Sequence, residues 1–421
     1  MTAMKPHRLN QLRLRSLLFA LAVSGATFAG DWPRFMGPTG DGVSPEKGLL
    51  RTFPADGPRV LWRVPMGPGY GGAAIFQGKV YAMDRVDRQR DVLRCFDLKT
   101  GREEWSFSYD CPGRISHDGS RSTPAVNDRF VFILGPFGHL HCLDRRTHQV
   151  VWKKNIVDDY GAKKPRWAVS HSPVPYREWI VTAPLSDTVG LVALDQATGR
   201  EVWKSPPVGP MAYVTPKLVT IDGVEQFTIL TPKGVAAFRA SDGALLWQYA
   251  HPCKIPIPNV TDLGQGRLFV TGGYKAGSAI IQVSRQGDDW QVKEIAKIAD
   301  IGGHCHPGLV YQDHIYVLCN TNERADGLVC FDFNGKLLWQ TKRDPYLDKG
   351  GSILTGDGLI YIMDGRTGEL HIVEPSPAGF KSLSKAKLLD GREIWGPLAL
   401  SNGHLVIRDQ SQMKCLDVRA R

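Results

Sequence analysis

Along this chain short apolar runs alternate with turn residues and close on tryptophan, and the pattern returns five times. The copies are CFDLKTGREEW at 95–105, CLDRRTHQVVW at 142–152, ALDQATGREVW at 193–203, AFRASDGALLW at 237–247 and CFDFNGKLLW at 330–339. Self-similarity at a spacing of this size marks one supersecondary unit reused around a common core. Each copy reads as two antiparallel strands joined by a tight hairpin. Gly101, Gly199 and Gly243 supply the positive φ of the turn and Asp97, Asp144 and Asp195 satisfy its amides, while His148 stands where the second copy lacks glycine. A second hairpin lies upstream of each copy, as in AAIFQGKVYAM at 73–83, PAVNDRFVFIL at 124–134 and LALSNGHLVIR at 398–408. The unit is therefore four-stranded.

Trp62, Trp105, Trp152, Trp203 and Trp247 follow one another at this spacing, and two degenerate units near Val292 and Lys385 bracket Trp339, giving eight units. The last segment, from Trp395 to Val418, supplies only three strands, whereas RVLWRV at 59–64 is a strand without a preceding hairpin. The two complete one another. The predicted fold is all-β: an eight-bladed β-propeller of four-stranded antiparallel blades, its ring closed by the strand at about 59–64 pairing with the C-terminal blade, which leaves no free edge at the seam. No window sustains a helical period, and 45 glycines and 28 prolines suit a chain of many turns. The expected organisation is a leader at 1–29, an extension packing on the propeller at 30–58, and a single propeller domain from 59 to 421.

The leader is read from basic Lys5, Arg8, Arg13 and Arg15, an apolar run from Leu17 to Phe28 and small residues before Ala29. It predicts cleavage near Ala29 and a periplasmic or secreted protein. The run is too short to span a bilayer, and no cysteine stands at the cleavage point to carry a lipid. Without the leader's four cations, 48 Lys and Arg face 42 Asp and Glu, a net +6 scattered among acids, so nucleic acid is not an expected partner. None of the eight cysteines forms a C-x-x-C pair, which excludes covalent c-type haem. Cys95, Cys142, Cys330 and Cys415 recur at one point of the repeat as small buried hydrophobes, and disulfides among the remaining four stay open.

The repeated LD-x-x-TG-x-x-x-W unit, the segment DWPRFMGPTGDGVS at 31–44 and GAKKPRWAVSHSPV at 161–174 resemble the PQQ-binding-like, BamB-like β-propeller repeat family, especially its exported planctomycete-type members. The resemblance covers nearly the whole chain beyond the leader and implies eight blades. It does not imply one function, because the family holds both quinoprotein alcohol dehydrogenases, with PQQ and calcium, and the cofactor-free scaffold BamB. Quinoproteins clamp PQQ between an indole and a disulfide of adjacent cysteines beside a carboxylate-rich calcium. This chain has no adjacent cysteines and no evident calcium set, so no cofactor is expected and PQQ remains only as an alternative.

In a propeller, the residues just before each innermost strand converge on one mouth of the central channel. Those positions give Tyr70, Arg121, His171, Tyr213, Asn259, His304 or His306, Lys349 and Trp395, chemically different in every blade where the packing positions repeat. Arg121 and Lys349 suit a carboxylate or phosphate, Tyr70 and Trp395 suit stacking, and the histidines suit hydrogen bonding or proton transfer. Hydration of a channel mouth explains such residues equally well. His304, Cys305 and His306 alternate as metal ligands would, but no fourth ligand is specified, and no metal is expected. The tryptophans of the repeat are assigned to blade packing. The leading reading is a noncatalytic scaffold, a monomer binding a protein or glycan in the cell envelope. The rival is an enzyme, either a divergent quinoprotein or a lyase for an anionic saccharide with Tyr213 or His171 as base and Arg121 neutralising a carboxylate.

Overall fold

The computed structural model describes residues 1–2 and 30–420; the predicted leader otherwise falls outside the described residues. Eight four-stranded antiparallel sheets form the ring. In chain order the blades occupy residues 74–110, 125–155, 174–204, 217–250, 261–298, 309–340 and 352–387, and the eighth combines residues 399–417 with Arg59–Pro65. The closing pairing is antiparallel, with Arg59 opposite Asp417, Trp62 opposite Cys415 and Pro65 opposite Gln412. The fold is an eight-bladed β-propeller, closed as the sequence predicts.

The repeat exists because each tryptophan holds two blades together. In the outermost strand it stands opposite a small residue of the third strand: Trp105 faces Cys95, Trp152 faces Cys142, Trp203 faces Ala193, Trp247 faces Ala237, Trp339 faces Cys330 and Trp62 faces Cys415. A bulge beside this pair turns the indole toward the next blade. There the Trp62, Trp152 and Trp339 ring nitrogens each donate a 2.8 Å hydrogen bond to the carbonyls of Leu98, Gln196 and Ser376. The rings also lie on the turn glycines: a Cβ added to Gly101, Gly199 or Gly243 would sit 2.5, 2.7 or 2.5 Å from Trp62, Trp152 or Trp203. The glycine thus answers two demands, a positive φ and a face for the indole. His148, at φ 62°, meets the second demand by stacking on Trp105 at 4.1 Å. Gly199→Ala, which strains the turn and strikes the Trp152 ring, is expected to cost about 2 kcal/mol in urea unfolding. A neutral substitution there would refute the double constraint.

The two degenerate blades place Ala296 opposite Ile280 and Ser384 opposite Ile372 where the others have tryptophan, a few residues from the positions Val292 and Lys385 suggested by spacing. At Ser384 the extension compensates, since the hydroxyl accepts a 3.0 Å bond from the Phe53 amide. All eight cysteines are free thiols, so none of the pairings left open by the sequence is made. No helix among the described residues is long and apolar enough to cross a membrane.

The extension runs through the channel. Trp32 and Ile75 exchange two 2.8 Å backbone bonds in blade 1, Pro33 accepts from Val126 in blade 2, and Ser44 and Gly42 bond Leu354 in blade 7. From blade 4 the Lys217 ammonium reaches the Thr39 and Gly40 carbonyls at 2.8 and 3.1 Å. Residues 32–44 therefore touch inner strands on opposite sides of the ring and plug it. Beyond them the Glu46 carboxylate receives the Asn402 and Gly403 amides, both at 2.7 Å, fixing the extension to the closing blade.

Candidate functional site

Above the plug lies an axial cavity of about 180 Å³, with Phe35 of the plug among its lining residues. Its wall follows a simple rule. In seven of the eight blades the residue four positions before the innermost strand faces the axis: Tyr70, Arg121, Ser170, Tyr213, Ile257, Cys305 and Trp395 line the cavity, whereas Asp348 at the same offset in the seventh blade is buried outside it. His304 and His306 flank Cys305 in the same wall, joined by His117, Trp167, Tyr274 and Asn322 from neighbouring loops.

The structure thus brings together Tyr70, Arg121, Tyr213, His304, Cys305, His306 and Trp395, and places three expected residues elsewhere. His171 stands three positions before its strand, and in an extended chain one residue of offset reverses the side chain. Its ring is wholly buried in the blade, where Nε2 accepts the Ala183 amide at 3.2 Å and meets the Thr182 hydroxyl at 2.9 Å. It cannot act as a base on a ligand in the cavity. Asn259, two positions before its strand, turns down against the plug beside Thr39, Gly40 and Lys217. Lys349 lies behind the wall, paired with Asp348 at 3.2 Å, bonded to Asn322 at 3.2 Å and 5.0 Å from the centroid of the Trp395 ring. Its charge is neutralised locally. Ser170 and Ile257 were missed, although the constant offset of four identifies them.

Within the wall Arg121 is the exceptional group. Its guanidinium donates to the carbonyls of Gly119 at 2.7 Å, Ser116 at 2.6 Å and His117 at 2.5 Å, and lies 5.4 Å from the centroid of the Tyr70 ring. No ion-pair partner meets it among the described residues. Burial lowers its pKa to about 10, which leaves it cationic at neutral pH. The carboxylate whose field reaches it, Asp118, is paired with Arg88 at 2.6 Å, and Glu393 is engaged by the Tyr70 hydroxyl at 2.8 Å. Tyr70 and Trp395 pack 5.4 Å apart at 31°, and Trp167 and Tyr213 face each other at 5.5 Å. Burial holds His304 down to about 3 and His306 to about 4, so both are neutral, and pushes the Cys305 thiol up to about 12, far from a thiolate. Tyr213, whose oxygen accepts the Trp167 amide at 3.3 Å, is also raised by burial despite the fields of Arg121 and Arg166. The cavity is an aromatic box with one cation, Arg121, that makes no ion pair among the described residues.

A family model described as "Outer membrane protein assembly factor BamB" matches residues 89–297. That stretch belongs to the BamB-like family of PQQ-type repeats. Among curated proteins none matches the chain significantly by sequence. Solved structures similar to this propeller include a europium-containing methanol dehydrogenase, 14% identical, TM-score 0.66, over 90% of each chain. A quinohemoprotein alcohol dehydrogenase from Comamonas testosteroni is 12% identical, TM-score 0.62, over 93% of this chain and 81% of that one. BamB from Moraxella catarrhalis is 15% identical, TM-score 0.58, over 85% and 99%. At such identities these likenesses establish the fold and not the activity.

The residues of this chain do not fit the quinoprotein arrangement. No two cysteines are adjacent, and no three His, Cys, Asp or Glu side chains among the described residues are placed to hold a metal ion. His304, Cys305 and His306 line one wall without forming such a group: the His306 Nε2 meets the Trp395 carbonyl at 2.9 Å, and the His304 ring packs on Tyr274 at 4.8 Å.

Proposed function

We propose that the chain is an exported, noncatalytic binding propeller whose axial cavity takes a ring-shaped ligand bearing one carboxylate, with the ring against Tyr70 and Trp395 and the carboxylate on Arg121. Arg121 carries this reading: its half-buried guanidinium meets carbonyls and the Tyr70 ring but no ion-pair partner among the described residues, and two of its N–H donors remain for an anion. The plug supports it by making the channel a blind pocket. The two neutral histidines add no charge, which favours a single acid over a phosphate cluster.

Galacturonate is a suitable probe, with binding read from tryptophan fluorescence. Arg121→Gln is expected to weaken it about 10- to 100-fold, the loss of one charge-assisted pair; equal affinity would refute the carboxylate role. The enzymatic alternative has Tyr213 near Arg121, but a phenol raised by burial rests protonated and is a poor base. An unsaturated product appearing on incubation with oligogalacturonate, and lost in Tyr213→Phe, would establish the lyase instead. Stoichiometric quinone absorbance after adding PQQ and calcium would restore the quinoprotein reading. Export is checked by fractionating cells that express the whole chain.

A further inference from the structure

We propose that the junction of plug and ring binds a single halide ion, held by Arg34, Lys217 and Asn259, at a site independent of the axial cavity's ligand. A second, small cavity of about 10 Å³ lies there, about the room that one water-sized body needs. Phe35 and Thr215 line both cavities, so the small one stands directly behind the floor of the larger.

Three donors from three separate segments meet on it. Lys217, the first residue of the inner strand of blade 4, is 7% exposed; its ammonium spends two of its three protons on the Thr39 and Gly40 carbonyls and keeps one. The Arg34 guanidinium of the plug gives Nε and Nη2 to the Pro38 carbonyl at 3.2 and 2.8 Å, and its Nη1 meets no partner among the described residues. Asn259, just before blade 5, is 4% exposed, and its side-chain amide makes no hydrogen bond among the described residues. Gly40 makes the room. A Cβ added to it would stand 3.9 Å from both the Arg34 Nη2 and the Lys217 Nζ, so the two cations lie no more than twice that distance apart.

Among the described residues no carboxylate pairs with either cation. Asp41, whose field reaches both, has its Oδ1 taken by the Thr39 hydroxyl at 2.7 Å and the Val43 amide at 3.0 Å. Asp262, whose field reaches Lys217, accepts the Gly264 amide at 2.8 Å. Burial pulls the pKa of Lys217 and of Arg34 down, a strain on the charged forms that a bound anion relieves. A water molecule accepts two hydrogen bonds, whereas a halide accepts from all three donors and answers their charge. The small volume suits a monatomic ion.

The test combines crystals grown in sodium bromide with urea unfolding at constant ionic strength as gluconate is exchanged for chloride. One anomalous bromide peak is expected between Arg34, Lys217 and Asn259. The unfolding equilibrium constant is expected to fall about tenfold once chloride reaches ten times its Kd. Asn259→Asp sets a carboxylate of the same size beside the two cations, and is expected to keep the stability of the chloride-loaded protein while losing the chloride dependence. Lys217→Met is expected to lose both the peak and the dependence. An ordered water with no bromide peak, or equal chloride dependence in the native chain and Asn259→Asp, would overturn the site. A peak without any effect of chloride on unfolding would mark an adventitious ion and overturn it too. A larger effect of sulfate than of chloride, taken as the difference between the native chain and Asn259→Asp, would overturn the halide assignment.

Discussion

Trp62→Ala is expected to lower the unfolding free energy by about 3–5 kcal/mol, the usual loss for a buried tryptophan. The residue sits in the strand Arg59–Pro65, which pairs the first part of the chain with the last blade of the ring. Its side chain is buried, its indole donates 2.8 Å to the Leu98 carbonyl of blade 1, and its ring covers Gly101. Removing it takes its indole out of the contact between blades 8 and 1 while leaving the backbone pairing with the strand Gln412–Asp417 in place. Urea unfolding measures the loss, and limited proteolysis should show cleavage appearing first around residues 59–65. A change below about 1 kcal/mol would mean that the seam is held by backbone pairing and the Glu46 clasp rather than by this side chain.

The same contact explains what was legible in the sequence. A propeller repeats one interface, so its key residues recur at fixed spacing, and the tryptophans, turn glycines and opposing Cys or Ala positions stand out without any coordinates. The degenerate blades blurred because Ala296 and Ser384 replace the landmark, and at Ser384 the compensating contact comes from Phe53, far away in the chain.

The site was legible to within one or two residues. Convergence on the axis follows from the blade count alone, but facing the axis depends on an offset of four from strand starts that hydrophobic pattern fixes only loosely. Tyr70, Arg121, Tyr213 and Trp395 fell on that offset; His171 and Asn259 fell beside it and point away. The plug was not legible in detail, since DWPRFMGPTGDGVS has no period and its partners, Ile75, Lys217 and Leu354, are spread around the ring. Phe35 in the cavity wall follows only from that threading.

His171 matters for stability rather than for ligand, and the chain is expected to lose most of its stability between pH 6.5 and 5. Burial lowers His171 and His304 to about 3, and His141 and His306 to about 4. All four rings are buried. An unfolded histidine titrates near 6.5, so below that pH the unfolded chain takes up protons that the folded chain refuses. The folded pKa values are depressed, so the associated stability is present above about 6.5 and is lost as pH falls toward 4 and 3. At pH 5 each ring contributes a loss of about 2 kcal/mol, and four together rival the 5–15 kcal/mol that holds a typical domain folded. Asp417, paired with Arg419 and held at about 2, begins to lose its contribution only near pH 4, below the window from 6.5 to 5 in which the histidines act. Urea midpoints taken from pH 8 to 5 should fall steeply below 6.5. His171→Asn, whose amide oxygen can still accept the Ala183 N–H, should reduce that slope by one proton. Stability that stays level from pH 7 to 5 would show that these rings protonate within the fold, and that their surroundings are wetter than their burial implies.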